Sequence, residues 1–210
     1  GVAWAWLSNT PFRWFKQNQH EGGIAAPTIA HFPAGMSNKK GSVNHDLGHL
    51  LDIMPTIVEF TGAEYPDSIR GHAVTPYEGK SWMNAINGGE IPKRDYLYQQ
   101  WHLHRALFKN DFKISSFRAN EWELYNIKKD RSELNNLATE NPELLNEMVD
   151  LWRDIAENKD QLPDKFFYIA PSEELRQQWG DRERDDNLNP ETYREFYEEL
   201  YPEIGFEIDD

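Results

Sequence analysis

Lys16 is the residue whose surroundings best suit chemistry. It closes the run Phe12-Arg13-Trp14-Phe15-Lys16 and stands four residues before His20-Glu21-Gly22-Gly23. A lysine is ordinarily a solvated surface cation. Set at the edge of an aromatic cluster, it can instead hold an anionic oxygen as a point charge. His20 beside Glu21 has the types of an acid–base pair, and equally those of a hydrogen-bonded structural histidine. His102 and His104, two apart, would share one face of a strand, a pattern that fits a metal, a substrate or simply an exposed strand. His45 and His49 are four apart, but a break before Asp52 separates them from a common helical face. No histidine pair has the HExxH spacing of a zinc hydrolase.

Several elements must position these groups. Gly22-Gly23 marks a backbone that takes positive φ or comes close to another segment. Thr28–Phe32, bounded by Pro27 and Pro33, reads as a short strand. Leu47–Leu51 reads as extended, with Asp52 capping a helix from Ile53, Pro55 in its first turn and Gly62 just past its end. A short helical turn is expected at Trp82–Ile86. Four extended runs follow: Tyr96-Leu97-Tyr98, Arg105–Phe108, Phe112-Lys113-Ile114 and Trp122–Tyr125. The turn Lys109-Asn110-Asp111 makes the middle pair a hairpin. Asn141 and Pro142 then open a helix with Leu144, Leu145, Met148, Leu151, Trp152 and Ile155 in one stripe. Strands followed by a helix predict an antiparallel sheet with a helix on one face, an α+β arrangement. Asn189-Pro190 opens a further helix whose stripe is Tyr193, Phe196, Tyr197, Leu200 and Tyr201.

The composition narrows the partners. The 210 residues carry a net charge of −14, with +3 over residues 1–45 and −17 over the remaining 165. Such a surface argues against nucleic acid and anionic membrane, and leaves an anionic small molecule free to meet the basic first segment. There is no cysteine, hence no disulfide and no thiolate chemistry. Eight Trp, nine Tyr and eleven Phe mark a chain that folds. No apolar run is long enough to cross a bilayer, and Gly-Val-Ala-Trp-Ala-Trp has no signal-peptide pattern. The first residue is not Met, which suggests a cut N-terminus.

Taken in order, the motifs Ser8-Asn9-Thr10-Pro11-Phe12-Arg13, Lys16, His20-Glu21-Gly22-Gly23-Ile24 and Phe32-Pro33-Ala34-Gly35 resemble the formylglycine-dependent (type I) arylsulfatases. The likeness continues through Asp52-Ile53-Met54-Pro55-Thr56, Gly79-Lys80-Ser81, Asp111-Phe112-Lys113, Trp122–Tyr125 and Asp130-Arg131-Ser132-Glu133-Leu134, covering about residues 1–155. It implies the end of an alkaline phosphatase-like α/β domain (1–93), a four-stranded antiparallel sheet with a packed helix (94–160) and a helical acidic extension (161–210). It implies hydrolysis of a sulfate ester on a sugar or aryl group, with a formylglycine nucleophile and calcium ligands supplied upstream. No Cys/Ser-x-Pro/Ala-x-Arg motif occurs here, and Ala170-Pro171-Ser172 lacks what should follow. The chain alone is therefore expected to be inactive, with no metal ligands of its own and the N-terminal catalytic portion as its partner. A periplasmic or secreted location would fit.

Of the family's active-site residues, the one carried over is the lysine ahead of the Glu-Gly-Gly turn, which matches Lys16. That lysine contacts the sulfate oxygens and the leaving-group oxygen, where charge grows in the transition state. His20 would sit beside the pocket. Where many relatives have a Trp-Glu-His-like stretch, this chain reads Gln99-Gln100-Trp101, with His104 before Arg105. Trp101, His102 and His104 are thus expected to line a sugar-binding rim, because aromatic faces suit sugar rings. A phosphatase or phosphonate hydrolase of the same superfamily, or a binding module without chemistry, are the competing readings. The acidic aromatic tail could also serve oligomerisation.

Overall fold

The computed structural model describes residues 2–32, 35, 41–101, 104–117 and 120–159. The described residues form two compact units, one of those up to Ala26 with those from Tyr96 onward and the other of those within Pro27–Asp95.

The centre of the first unit is a meander of four antiparallel strands: β3 (Leu97–Trp101), β4 (His104–Lys109), β5 (Phe112–Ser116) and β6 (Glu123–Asn126). All four expected runs are strands. Lys109 pairs with Phe112 across a two-residue turn, and Asn110 takes φ +54° there, which asparagine tolerates better than most residues. Alternation along the strands sends Leu107, Ile114 and Leu124 to one face. Helix α5 (Pro142–Asn158) covers that face with Met148, Val149, Trp152, Ile155 and Ala156. Trp152 is fully buried, stacked on Tyr98 at 5.4 Å and tilted against Trp122 at 5.4 Å. Asn141 occupies the predicted N-cap position, yet its side chain makes no cap bond. Its carbonyl accepts from Leu145 N instead.

The opposite face of the sheet is also covered. The sequence predicts a helix on one face and says nothing of the other, where Ala106, Phe108, Lys113, Ser115 and Tyr125 are buried as well. Their cover is the segment 11–24, which follows helix α1 (Val2–Asn9) and ends in the four-residue helix α2 (Glu21–Ile24). The described residues up to Ala26 therefore pack in one compact unit with the sheet. Bonds from Arg13, His20 and Glu21 to residues 123–133 are the physical reason. The α1 helix was not anticipated.

The second unit carries helix α3 (Ile53–Thr61), closed by Gly62 at φ +66° as expected, and helix α4 (Met83–Ile86). A small hairpin joins β1 (Ser68–Ile69) to β2 (His72–Ala73) through Arg70 and Gly71, both at positive φ. Thr28–Phe32 is irregular and exposed rather than a strand. No described neighbour offers it a ladder, and its flanking prolines lack N–H groups. Leu50–Asp52 is a turn of 3-10 helix, not extended. The expected C-terminal helix and the division at 161 lie outside the described residues.

Candidate active site

Lys16 is exposed on a tight turn. Asn18 closes that turn by donating to the Phe15 carbonyl from its backbone N (3.2 Å) and its Nδ2 (3.0 Å). Trp14 at φ +63° and Gln17 at φ +86° flank the turn. Side chains of this size rarely adopt that region, and such conformations cost on the order of 1–3 kcal/mol each, held only where the surroundings over-determine them. The surroundings here are two glycines. A Cβ on Gly22 would overlap the carbonyl oxygens of Arg13 and Trp14, and one on Gly23 would overlap those of Asn18 and Phe15. Gly22 N donates to Arg13 O at 2.8 Å. The glycine pair thus serves close backbone approach, one of its two sequence-based expectations.

Glu21, at the start of α2, is held from three sides. Its Oε1 accepts from Lys113 Nζ at 3.1 Å, its Oε2 faces Arg131 Nη2 at 3.2 Å, and its backbone N donates to Glu133 Oε2 at 2.8 Å. Lys113 is 0% exposed, with its Nζ 2.7 Å from Glu133 Oε1 and 4.9 Å from the centre of the Phe108 ring. Removing such ions from water costs several kcal/mol each, so the cluster is favourable only while every charge stays paired.

A second set of bonds ties the same segment to β6. Arg13 Nη1 donates to the Tyr125 hydroxyl at 2.6 Å and to Glu133 O at 3.0 Å, and Nη2 lies 3.8 Å from Glu123. His20 is 1% exposed, with Nε2 2.6 Å from Glu123 Oε2. Burial works to raise the Glu123 carboxyl, but the hydrogen bond and charge of His20 and then the charge of Arg13 outweigh it and hold the group low. Burial, followed by the Glu123 charge, pushes the Tyr125 phenol up. Tyr125 stays a neutral donor and acceptor.

The predicted residues fall as follows. Lys16 is exposed, whereas His20 points into the protein and is engaged by Glu123. Trp101 and His104 pair across β3 and β4, on the sheet face that carries segment 11–24. Trp101 is 52% exposed at the strand end. His104 meets Phe117 edge-on at 5.0 Å, and Trp14 is stacked between Phe117 (4.4 Å) and Trp6 (4.8 Å). Trp14 also lies 6.2 Å from His20, ring centre to ring centre. His20 and His104 are therefore brought to one aromatic cluster, whose member Trp14 has both faces covered. His102 lies outside the described residues. Among the described residues no group of three or more His, Cys, Asp or Glu could hold a metal ion.

Sequence reasoning quoted Arg13, Glu21, Lys113, Glu123, Arg131 and Glu133 inside motifs without seeing that they meet. The available signal was Lys113, a lysine between two apolar strand residues in Phe112-Lys113-Ile114. It would have counted had the second sheet face been known to be covered.

Asp52 is the corresponding centre of the second unit. It is 0% exposed and does not cap α3 with its side chain, as the sequence had suggested. Its carboxylate accepts instead from His49 N (2.8 Å), Lys80 N (2.7 Å) and Trp82 Nε1 (3.0 Å), and pairs with Arg94. Burial would raise this carboxyl; the bonds from Arg94, Lys80 and His49 hold it low instead. His49 is held low by burial and by the Arg94 charge.

Comparison with known proteins adds the following. The family described as "N-sulphoglucosamine sulphohydrolase, C-terminal" matches residues 11–161. An uncharacterized sulfatase of Schizosaccharomyces pombe is 31% identical over 159 residues, which is 72% of this chain and 28% of that protein. An N-acetylglucosamine-6-O-sulfatase of Bacteroides thetaiotaomicron is 31% identical over 136 residues, 59% of this chain and 23% of the other. An arylsulfatase of Clostridium perfringens is 29% identical over 149 residues, 68% and 29% respectively. The chain thus spans less than a third of the length of these relatives.

Proposed function

Because the chain belongs to the N-sulphoglucosamine sulphohydrolase C-terminal family, we propose that it serves a sulfate-ester hydrolase by supplying Lys16 to the reacting sulfate. The observation that carries this reading is the Lys16 turn itself, an exposed cation on a backbone fixed by two uncommon φ angles and a glycine contact. A positioned ammonium stabilises negative charge as it grows on the leaving oxygen, and it does so best when its place is fixed beforehand. His20 acts in this reading as a positioning residue through Glu123, and Trp101 as an aromatic surface at the rim. The substrate class is a sulfated carbohydrate or aryl sulfate, as the names of the bacterial relatives suggest. The formylglycine nucleophile, the calcium ion and the alkaline phosphatase-like α/β domain that would carry them belong to this proposal, contributed by polypeptide other than these 210 residues.

The test is turnover of 4-nitrophenyl sulfate, in the presence of calcium, by the complete gene product and its Lys16→Ala variant. The expected loss in kcat/KM is about 10²–10³-fold, the scale of removing one oxyanion-stabilising donor. Turnover within threefold of the parent protein would take Lys16 out of the reaction. The 210-residue chain alone is expected to leave the ester intact.

A further inference from the structure

We infer that Lys113 is a positioning residue for Lys16, acting through Glu21, α2 and the glycine contact; this rests on the role proposed for Lys16 above. The path is continuous. Lys113, the second residue of β5 and wholly buried, grips Glu21 Oε1 at 3.1 Å and Glu133 Oε1 at 2.7 Å. Glu133 returns to the same point by accepting the Glu21 backbone N–H at 2.8 Å. The first residue of α2 is therefore fixed by both its main chain and its side chain. The next two residues, Gly22 and Gly23, press directly on the carbonyls of Arg13, Trp14, Phe15 and Asn18, which are the two flanks of the Lys16 turn. No side chain intervenes between the α2 backbone and that turn.

The arrangement suits bracing better than it suits general stabilisation. The face of the sheet packed under α5 has an apolar centre in Leu107, Ile114 and Leu124, and apolar residues could have filled the second face as well. Instead that face spends a lysine and two glutamates where imperfect pairing is costly. What such a cluster offers over an apolar patch is direction: Lys113 and Glu133 fix where Glu21 sits, whereas hydrophobic contacts would let α2 slide. Displacement of a charge-stabilising group by about 1 Å reduces turnover by about 100-fold, so a braced turn has a measurable consequence.

A double-mutant cycle decides the matter in the complete gene product. Lys113→Met is expected to lower kcat for 4-nitrophenyl sulfate about 10- to 100-fold, but less than threefold further when Lys16 is already alanine. Equal losses in both backgrounds, or no loss in either, would overturn the inference. Should Lys16→Ala prove silent, the proposed function fails, and the brace is judged by a readout independent of activity. That readout is amide hydrogen exchange of the 210-residue chain: Lys113→Met should speed exchange at residues 13–18 and 21–23 while the β4–β6 amides keep theirs. Should Lys113→Met fail to fold, Glu133→Gln keeps the lysine and one carboxylate and is expected to show the same local effect. Unchanged exchange at residues 13–18 in the folded variant refutes the brace.

Discussion

At the scale of single residues, the chain depends on carboxylates that are kept ionised inside it. Glu123 and Asp52 both titrate below their ordinary values of 4.5 and 3.8, and His49 below 6.5. In each case the folded state holds the proton less readily than the unfolded one. The stability they contribute is therefore complete at high pH and lost as acid is added. Loss is expected to begin as pH falls below 6.5, through His49, and to steepen below 4.5 as Glu123 and then Asp52 take up protons. Denaturant midpoints measured from pH 8 to pH 3.5 check this, and Glu123→Gln should flatten the lower part of the curve. A stability that rises as the pH falls from 7 to 4 would contradict the assignment. Little of this was legible in the sequence, because apart from His49 the partners of the Asp52 carboxylate lie 28 to 42 residues away, and His20 lies 103 residues from Glu123. The Gly22-Gly23 contact was legible because its partners, Arg13 to Asn18, lie close in the chain.

At the scale of elements, local signals served where an element satisfies itself locally. Helix α5 follows its proline and its apolar stripe, and the β4–β5 hairpin follows Asn110. Helix α3 was read correctly from Pro55 and Gly62, although Asp52 turned out to serve Arg94 and Trp82 rather than the helix end. The failures are segments whose conformation is set by something distant. Thr28–Phe32 has strand-like residues but, among the described residues, no strand to pair with, and Lys113 has a polar side chain in a position that only the covering segment makes interior. The consequence for stability is testable at α5. Trp152→Ala removes the ring that meets Tyr98 and Trp122 and lies 5.2 Å from the Arg105 guanidinium. The expected cost is about 3–5 kcal/mol, read from denaturant unfolding followed by far-UV circular dichroism. A cost below about 1 kcal/mol would mean that this core is not what holds the sheet.

For the molecule as a whole, the two units differ in what they bury. The sheet unit has an apolar core on one face and a paired ionic layer on the other. Among the described residues of the unit Pro27–Asp95, only Asp52 and Pro55 are buried, and Ile53, Met54, Ile57 and Phe60 of α3 are roughly half exposed. Regions with few buried apolar contacts open at low free energy. Exchange of the 210-residue chain should therefore show slow amides in β4, β5 and α5, and faster ones across residues 27–95. Uniform protection across both units would count against this division. The order of synthesis gives the ionic layer a further consequence. Arg13, His20 and Glu21 leave the ribosome 103 to 120 residues before the Glu123 and Glu133 atoms they bind, a wait of roughly 5–25 s at ordinary elongation speeds. During that interval Trp14 belongs to a nascent chain in which Phe117, the ring it stacks on, has not yet been made. The segment that bears Lys16 is thus made well before the sheet it packs on, and its turn can be braced only once Glu133 has been added.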